Sequence, residues 1–373
     1  MKLIINTSNI SIGGGLQVAL SVLHELKKFN DNKYYVFLSR NLNKQIKASE
    51  YPDNFIFYKI DLSINDFFKR IKTLNALEKT IKPDAVFTVF GPTYWRPKSI
   101  HITGFAIGWA INPDSIAFTV LSVKQKIQKK IQNFIKLKCA TIESSFFFVE
   151  TETVKKRLSK FGGVPLNNIY IVGNTYNNHF LTSQDEKKKI LPEREKKDEF
   201  RFISISANYP HKNLAILNDV IPILKNKKLN VRFYLTIRHE EFKSNFIQNS
   251  DYITNLGPVD VSTCPYLYKE TDALFLPTLL ESFSASYPEA MISKRPILTS
   301  NLDFAREICN DAALYFNPLS PMDIAKKIEV IISNPKLSEK LIGLGNKRLL
   351  DFPKPNERVE KYLKTLSKLT KIK

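Results

Sequence analysis

Residues 272–298 read DALFLPTLLESFSASYPEAMISKRPIL, and this stretch decides the fold class. Ala273, Leu274, Phe275 and Leu276 form an apolar run of strand length, and Pro277 with Thr278 turns the chain. A loop of small residues then leads to Pro288, a residue suited to the first turn of a helix, and Ile297 with Leu298 begins a second apolar run. Strand, helix and strand in that order form a βαβ unit, whose two strands run parallel.

The alternation extends in both directions. Upstream, 202–205 reads as a strand, 215–224 as a helix and 231–235 as a strand. The first half behaves in the same way, with strands at 3–5, 34–38, 55–58, 85–89 and 100–103 and helices at 16–29 and 67–79. Between 183 and 201 the sequence SQDEKKKILPEREKKDEFR is charged, contains proline and lacks apolar period, which marks a boundary. The expected architecture is α/β: an N-terminal doubly wound domain over 1–182, a charged linker over 183–201 and a second doubly wound domain over 202–352. In such sheets ligands sit beyond the carboxyl ends of the strands, so the loops after strands are where chemistry belongs.

At 373 residues the chain is long enough for two cores, and its 43% hydrophobic content is that of a folded protein. Cys139, Cys264 and Cys309 are odd in number and far apart, which supports neither a zinc site nor a disulfide framework. No run reaches the length of a membrane span and the N-terminus lacks the apolar core of a signal peptide, so the sequence reads as cytoplasmic. The net charge is +20, but 44 of the 56 basic residues are lysine and only 12 arginine, in a chain also rich in Ile and Asn. A nucleic-acid reader leans on arginine forks, so the excess points away from nucleic acid and towards anionic lipid or a phosphate-bearing substrate.

Three loops carry candidate chemistry. In Glu281-Ser282-Phe283-Ser284-Ala285-Ser286-Tyr287-Pro288-Glu289 two carboxylates eight positions apart flank small residues at a strand end. The amides of Ser284, Ala285 and Ser286 would stand at a helix start, where a phosphate is favoured, and a carboxylate at each end can accept paired hydroxyls of a sugar. The same pattern also fits a helix whose early Glu complements its dipole. After the strand at 202–205, Lys212 would stand at the next helix start, beside free amides; read alone it is one surface lysine in a lysine-rich chain. Near the N-terminus, Gly13, Gly14 and Gly15 spend three of only twelve glycines in one loop, where positive φ and close backbone approach become possible.

The order of these segments resembles the GT-B nucleotide-sugar glycosyltransferases, and specifically the retaining glycosyltransferase family 4. HKNL at 211–214, Leu256-Gly257-Pro258-Val259, YLYKETDA at 266–273, FLPTLLESFSASYPEAMISKRPIL at 275–298 and AALYFNP at 312–318 carry the likeness nearly continuously. The resemblance implies two Rossmann-like domains facing a central cleft, with a C-terminal helix over 353–373 returning to the first. It implies transfer from a nucleotide diphosphate sugar to a lipid-linked or growing bacterial surface glycan such as O-antigen or capsule. Glu281 would hold donor-sugar hydroxyls and Glu289 the ribose. The segment Phe283 to Ala285, with Lys212, would hold the diphosphate, and Gly13 to Gly15 would meet diphosphate and acceptor. Lysine and helix amides stabilise a departing diphosphate without a metal, and the chain has no Asp-x-Asp; no metal or cofactor is expected.

Three departures stand out. Where the family commonly places an Arg five residues before the phosphate lysine this chain has Ala207, with Arg238 as a possible substitute. The usual Gly-Phe-Gly is Ser282-Phe283-Ser284. The position of a common N-domain histidine falls on Gly104, while His101 lies inside the strand and is read as a core residue before an acceptor ligand. Trp109 could stack on an acceptor sugar or lie buried under its loop. Over 120–138, Val120, Val123, Ile127, Ile131, Phe134 and Ile135 recur at helical spacing among Lys124, Lys126, Lys129, Lys130, Lys136 and Lys138. The expectation is that this stripe packs on the sheet with its lysines outside, where they could meet anionic lipid on the inner face of the plasma membrane; the alternative is a membrane-surface helix. Rival functions are an inverting GT-B transferase or sugar-nucleotide epimerase, and a sugar-nucleotide-binding protein without turnover.

Overall fold

The computed structural model describes residues 1–60, 66–182 and 189–371. They form two compact units, the first made of Met1–Pro113, Ile127–Asn174 and Pro353–Lys373, the second of Asp114–Lys126 and Thr175–Phe352.

The first unit is built on seven strands: β1 (Lys2–Thr7), β2 (Lys33–Leu38), β3 (Phe55–Lys59), β4 (Ala85–Thr88), β5 (Ile100–Gly104), β6 (Phe146–Val149) and β7 (Ile169–Ile171). Their order is β3-β2-β1-β4-β5-β6-β7, with every pairing parallel. The second unit has six: β8 (Phe200–Ser204), β9 (Val231–Leu235), β10 (Ile253–Asn255), β11 (Ala273–Leu276), β12 (Ile297–Ser300) and β13 (Ala313–Phe316). Their order is β10-β9-β8-β11-β12-β13, again all parallel. Helices cover both faces, which is why the central strands are continuous apolar runs: Leu3, Ile4 and Ile5 of β1 and all of β11 are buried. In each sheet the winding reverses once, between β1 and β4 in the first and between β8 and β11 in the second. A crevice opens at the carboxyl end of the strands at such a point.

The structure shifts several boundaries. The first helix is Gly13–Leu26, so the three glycines are its first turn and not the loop before it; only Gly13 has positive φ, at 72°. The helix expected at 215–224 is Leu217–Asn226, preceded by 3₁₀ turns at Pro210–Lys212 and Leu214–Ile216. The division between units falls at 174/175, before the charged stretch expected to mark it, of which 183–188 lie outside the described residues. The reason is packing: Tyr176, Phe180 and Leu191 share a core with Leu267, Tyr268 and Tyr287 of the second unit. The charged stretch is also tied down. Glu270 accepts the amides of Ile190 and Leu191 at 2.6 and 2.8 Å, and Arg194 grips Asp272 with two hydrogen bonds of 2.8 and 2.9 Å.

The C-terminal helix Pro355–Lys371 packs Val359, Tyr362, Leu363, Leu366 and Leu369 into the core of the first sheet, with the Tyr362 ring 4.9 Å from Phe87. Its buried Arg358 donates to Asn174 Oδ1 at 2.5 Å and Ser21 Oγ at 2.8 Å, tying three distant segments of the same unit.

The basic helix Val123–Glu143 contradicts the expected packing. Its buried residues are Asn133, Leu137, Ala140 and Glu143, whereas Val123, Ile127, Ile131, Phe134, Ile135 and Ile142 are 50–72% exposed. Leu137 and Ala140 join the core formed with Phe105, Phe147 and Leu158. The Glu143 carboxylate accepts the amides of Thr93 and Tyr94 at 2.8 and 2.6 Å. These polar and small residues dock the helix, and the strongest apolar stripe faces solvent.

Candidate active site

The second unit gathers the candidate residues at its β8–β11 switch point. Lys212 follows β8 and Glu281 follows β11, two neighbouring strands, so residues 69 apart in sequence meet. The Lys212 ammonium donates to Glu281 Oε1, and both side chains are less than one-fifth exposed. The Thr278 hydroxyl lies 3.2 Å from the same Oε1 and 3.1 Å from the His211 carbonyl, which also accepts the Leu279 amide at 2.7 Å. The two loops are thus stitched together directly behind the pair. Asn213, left-handed with φ 54°, lets the chain leave the 3₁₀ turn abruptly, and its amide donates to the Pro318 carbonyl at 2.8 Å.

The chemistry left unspent is specific. A lysine ammonium has three protons, and one goes to Glu281, leaving two for other acceptors. Among the described residues Glu281 Oε2 accepts from no protein donor, and the amides of Phe283, Ser284, Ala285 and Ser286 donate to no protein acceptor. The Phe283 ring packs edge to face on Phe352 with centroids 6.0 Å apart, which fixes the loop while leaving its backbone available. The helix starts at Ser286, two residues earlier than expected, and places Glu289 in its first turn. Glu289 is half-buried, and burial pushes its carboxyl up to about 7 against the opposing hydrogen bond of the Tyr268 hydroxyl. Lysine, unpaired amides and two carboxylates at one strand edge can together hold a doubly charged diphosphate and the hydroxyls of its substituents.

Other sequence candidates fall elsewhere. Arg238 caps the helix His239–Phe246, is exposed and does not join the Lys212–Glu281 pair, and Ala207 is exposed too. Neither position therefore supplies a second cation to the pair. Thr278 and Tyr268, which hold the two glutamates, were not singled out from sequence, because neither has a distinguishing spacing; only the packing of a neighbouring helix brings Tyr268 to Glu289. Ser282 is buried, and its hydroxyl has no partner among the described residues.

In the first unit Gly13, Gly14 and Gly15 lie at the switch point beside the loop after β4. A Cβ on Gly15 would lie 3.6 Å from the Phe90 ring, and Asn9 spans the same gap by donating to the Phe90 and Pro92 carbonyls at 2.6 and 3.1 Å. Trp109 sits half-buried on a short helix, with one ring face taken by the Lys129 ammonium 5.1 Å from its centroid.

His101 is a core residue and not an acceptor ligand. Its Nδ1 donates to the Glu143 carbonyl at 2.9 Å, and its Nε2 accepts from the Thr88 and Thr103 hydroxyls at 2.8 and 3.0 Å. Burial lowers its pKa to about 4. Because the unfolded ring titrates near 6.5, stability from this residue is whole above about pH 6.5 and is lost as the pH falls towards 4. The loss is expected to reach about 3 kcal/mol at its full extent. In denaturant melts from pH 7 to pH 4, His101→Gln should lose less stability than the parent; an identical pH slope would count against the neutral buried ring.

Residues 184–348 match the family model described as "Glycosyl transferases group 1". The O-antigen chain mannosyltransferase RfbU of Salmonella typhimurium strain LT2 is 25% identical over 201 residues, covering 52% of this chain and 52% of that protein, so the match spans about half the length of the curated relative. In fold the whole chain is similar to sucrose-phosphate synthase from Thermosynechococcus elongatus, with a TM-score of 0.78, 12% identity and 100% of both chains covered. It is also similar to Anabaena HepE in complex with UDP and glucose, with a TM-score of 0.69, 12% identity, and 99% and 100% covered. The chain accordingly has the GT-B fold, and residues 184–348 of it are similar to the glycosyl transferases group 1 family.

Proposed function

We propose that the chain is a retaining glycosyltransferase that moves a hexosyl or N-acetylhexosaminyl group from a nucleotide diphosphate sugar to a lipid-linked or growing bacterial surface polysaccharide. The observation that carries the reading is the Lys212–Glu281 pair at the β8–β11 switch point, with the unpaired amides of 283–286 beside it. The likeness to an O-antigen mannosyltransferase supports the acceptor class, and the UDP and glucose bound by HepE support the donor class.

On this reading the two remaining Lys212 protons and the loop amides bind the diphosphate. As the bond from the anomeric carbon to the diphosphate breaks, the leaving oxygen gains charge, and donors fixed beforehand stabilise that charge more than the ground state. This supplies the neutralisation that a metal provides elsewhere, so the proposal includes neither metal nor cofactor. Glu281 Oε2 takes hydroxyls of the donor sugar, and Glu289 takes the ribose.

Nucleoside diphosphates should raise the melting temperature, by mass action, at millimolar concentration. Product NMR with the donor so identified should show the anomeric configuration kept. Binding without turnover of any donor would favour a sugar-nucleotide-binding protein, and an inverted product an inverting transferase. No stabilisation by any nucleoside diphosphate would sink the donor site itself. Glu289 adds a pH signature: hydroxyl donors favour its ionised form, so nucleotide affinity should rise as the pH passes upward through about 7, and Glu289→Gln should flatten that rise.

A further inference from the structure

We propose that the outward face of the helix Val123–Glu143 is a docking surface for an anionic lipid bilayer, with the helix lying in the headgroup region. The inference rests on this surface and not on the transferase reading.

Ile127, Ile131, Phe134, Ile135 and Ile142 follow helical spacing along one face, and all are at least half exposed. The docked face is Asn133, Leu137 and Ala140. Ile131 and Ile135 precede Asn133 and Leu137 by two residues each, which is about 200° around a helix, so the side that carries these two isoleucines points away from the core. A contiguous row of this kind marks a contact surface, since scattered exposed apolar residues do not align.

The charges select the occupant. Between Asp114 and Glu143 there are six lysines and no acidic residue. Lys124, Lys130, Lys136 and Lys138 are exposed, whereas Lys129 is turned onto the Trp109 ring. Lys138 stands over the Phe134 ring, 5.8 Å from its centroid, so an ammonium stands within the apolar row, between Phe134 and Ile142. A second copy of this chain would bring the same lysines against their equivalents with no acid to offset them, whereas anionic headgroups complement them. Lysine stems can lie along the apolar row with their ammonium groups raised to the phosphates. Among the described residues no helix is long and apolar enough to cross a membrane, so the contact is one of surface, reaching about 5–10 Å into the interface. The face exists in the folded protein, held by Leu137, Ala140 and Glu143, and needs no folding on contact.

The test is sedimentation of the full chain with vesicles of phosphatidylglycerol and phosphatidylethanolamine, against pure phosphatidylcholine. The parent should bind the anionic vesicles at least tenfold more tightly than the neutral ones, and 0.5 M salt should weaken that preference. Replacing Ile131, Phe134 and Ile135 together by Glu should abolish sedimentation. Replacing Lys124, Lys130, Lys136 and Lys138 by Gln should erase the preference for anionic lipid. Both sets should leave circular dichroism and melting temperature unchanged. Phe134→Trp supplies a readout that needs no charge reversal: its emission should shift to the blue on anionic vesicles and be quenched by brominated lipid. A parent that stays in the supernatant, or a Trp at 134 that brominated lipid does not quench, overturns the proposal. So does a parent dimer that the Glu set converts to monomer without any lipid binding, which would make the face a contact between copies.

Discussion

Lys212→Ala is expected to lower glycosyl transfer by about 10²–10³-fold, the size typical of removing one fixed donor to a developing oxyanion, and Glu281→Ala by a comparable factor because it removes the carboxylate that orients that donor. The two losses should not add. Lys212 donates to Glu281 Oε1, and Thr278 braces the same oxygen while the His211 carbonyl joins the two loops. Removing either partner leaves the other without its orienting contact, so the double variant should be little worse than the worse single variant. The measurement is kcat/KM for the three variants with the donor identified by thermal shift. Glu281→Gln separates the roles: it keeps an acceptor for a sugar hydroxyl but loses the charge that holds Lys212, so it should remain deficient. Single losses that multiply in the double variant would show two independent contacts and not a coupled pair.

Gly104→Ala should destabilise the first unit by about 3 kcal/mol or more, the upper range for overpacking a tight site. A Cβ at Gly104 would stand 1.9 Å from the Val89 carbonyl oxygen, a backbone atom of the adjacent strand connection that cannot swing aside as a side chain can. The control is Gly14→Ala, where a Cβ meets nothing within 4 Å and a helical alanine is favoured over glycine by about 1 kcal/mol. Chemical denaturation of both variants should therefore give shifts of opposite sign; equal midpoints would remove the steric argument. The same contact explains why a glycine stands where the family resemblance leads one to expect a histidine: this position has room for no side chain.

Much of this was legible in the order of residues. The strands at 3–5, 34–38, 85–89, 231–235 and 273–276 could be read because strands buried on both faces need continuous apolar runs, and the parallel sheets follow from the helices between them. Glu281 and Glu289 could be read because a fixed spacing across a strand-to-helix turn sets where two carboxylates stand. The short strands β6, β7, β10 and β13 escaped, having three or four residues each and lying at or next to a sheet edge.

Sequence by itself thus determined the two α/β halves, their strand-end loops and the candidate carboxylates and lysine, because periodicity and local spacing are properties of neighbours along the chain. Tertiary structure decided the rest. It brought Lys212 to Glu281 across 69 residues through the reversal of winding between β8 and β11, and it buried His101 among Thr88, Thr103 and Glu143. It also turned the apolar stripe of the helix Val123–Glu143 outward, where a period of 3.6 had been compatible with either face. Amphipathic spacing shows that a helix has two sides; only the contacts of Leu137, Ala140 and Glu143 decide which side the protein keeps.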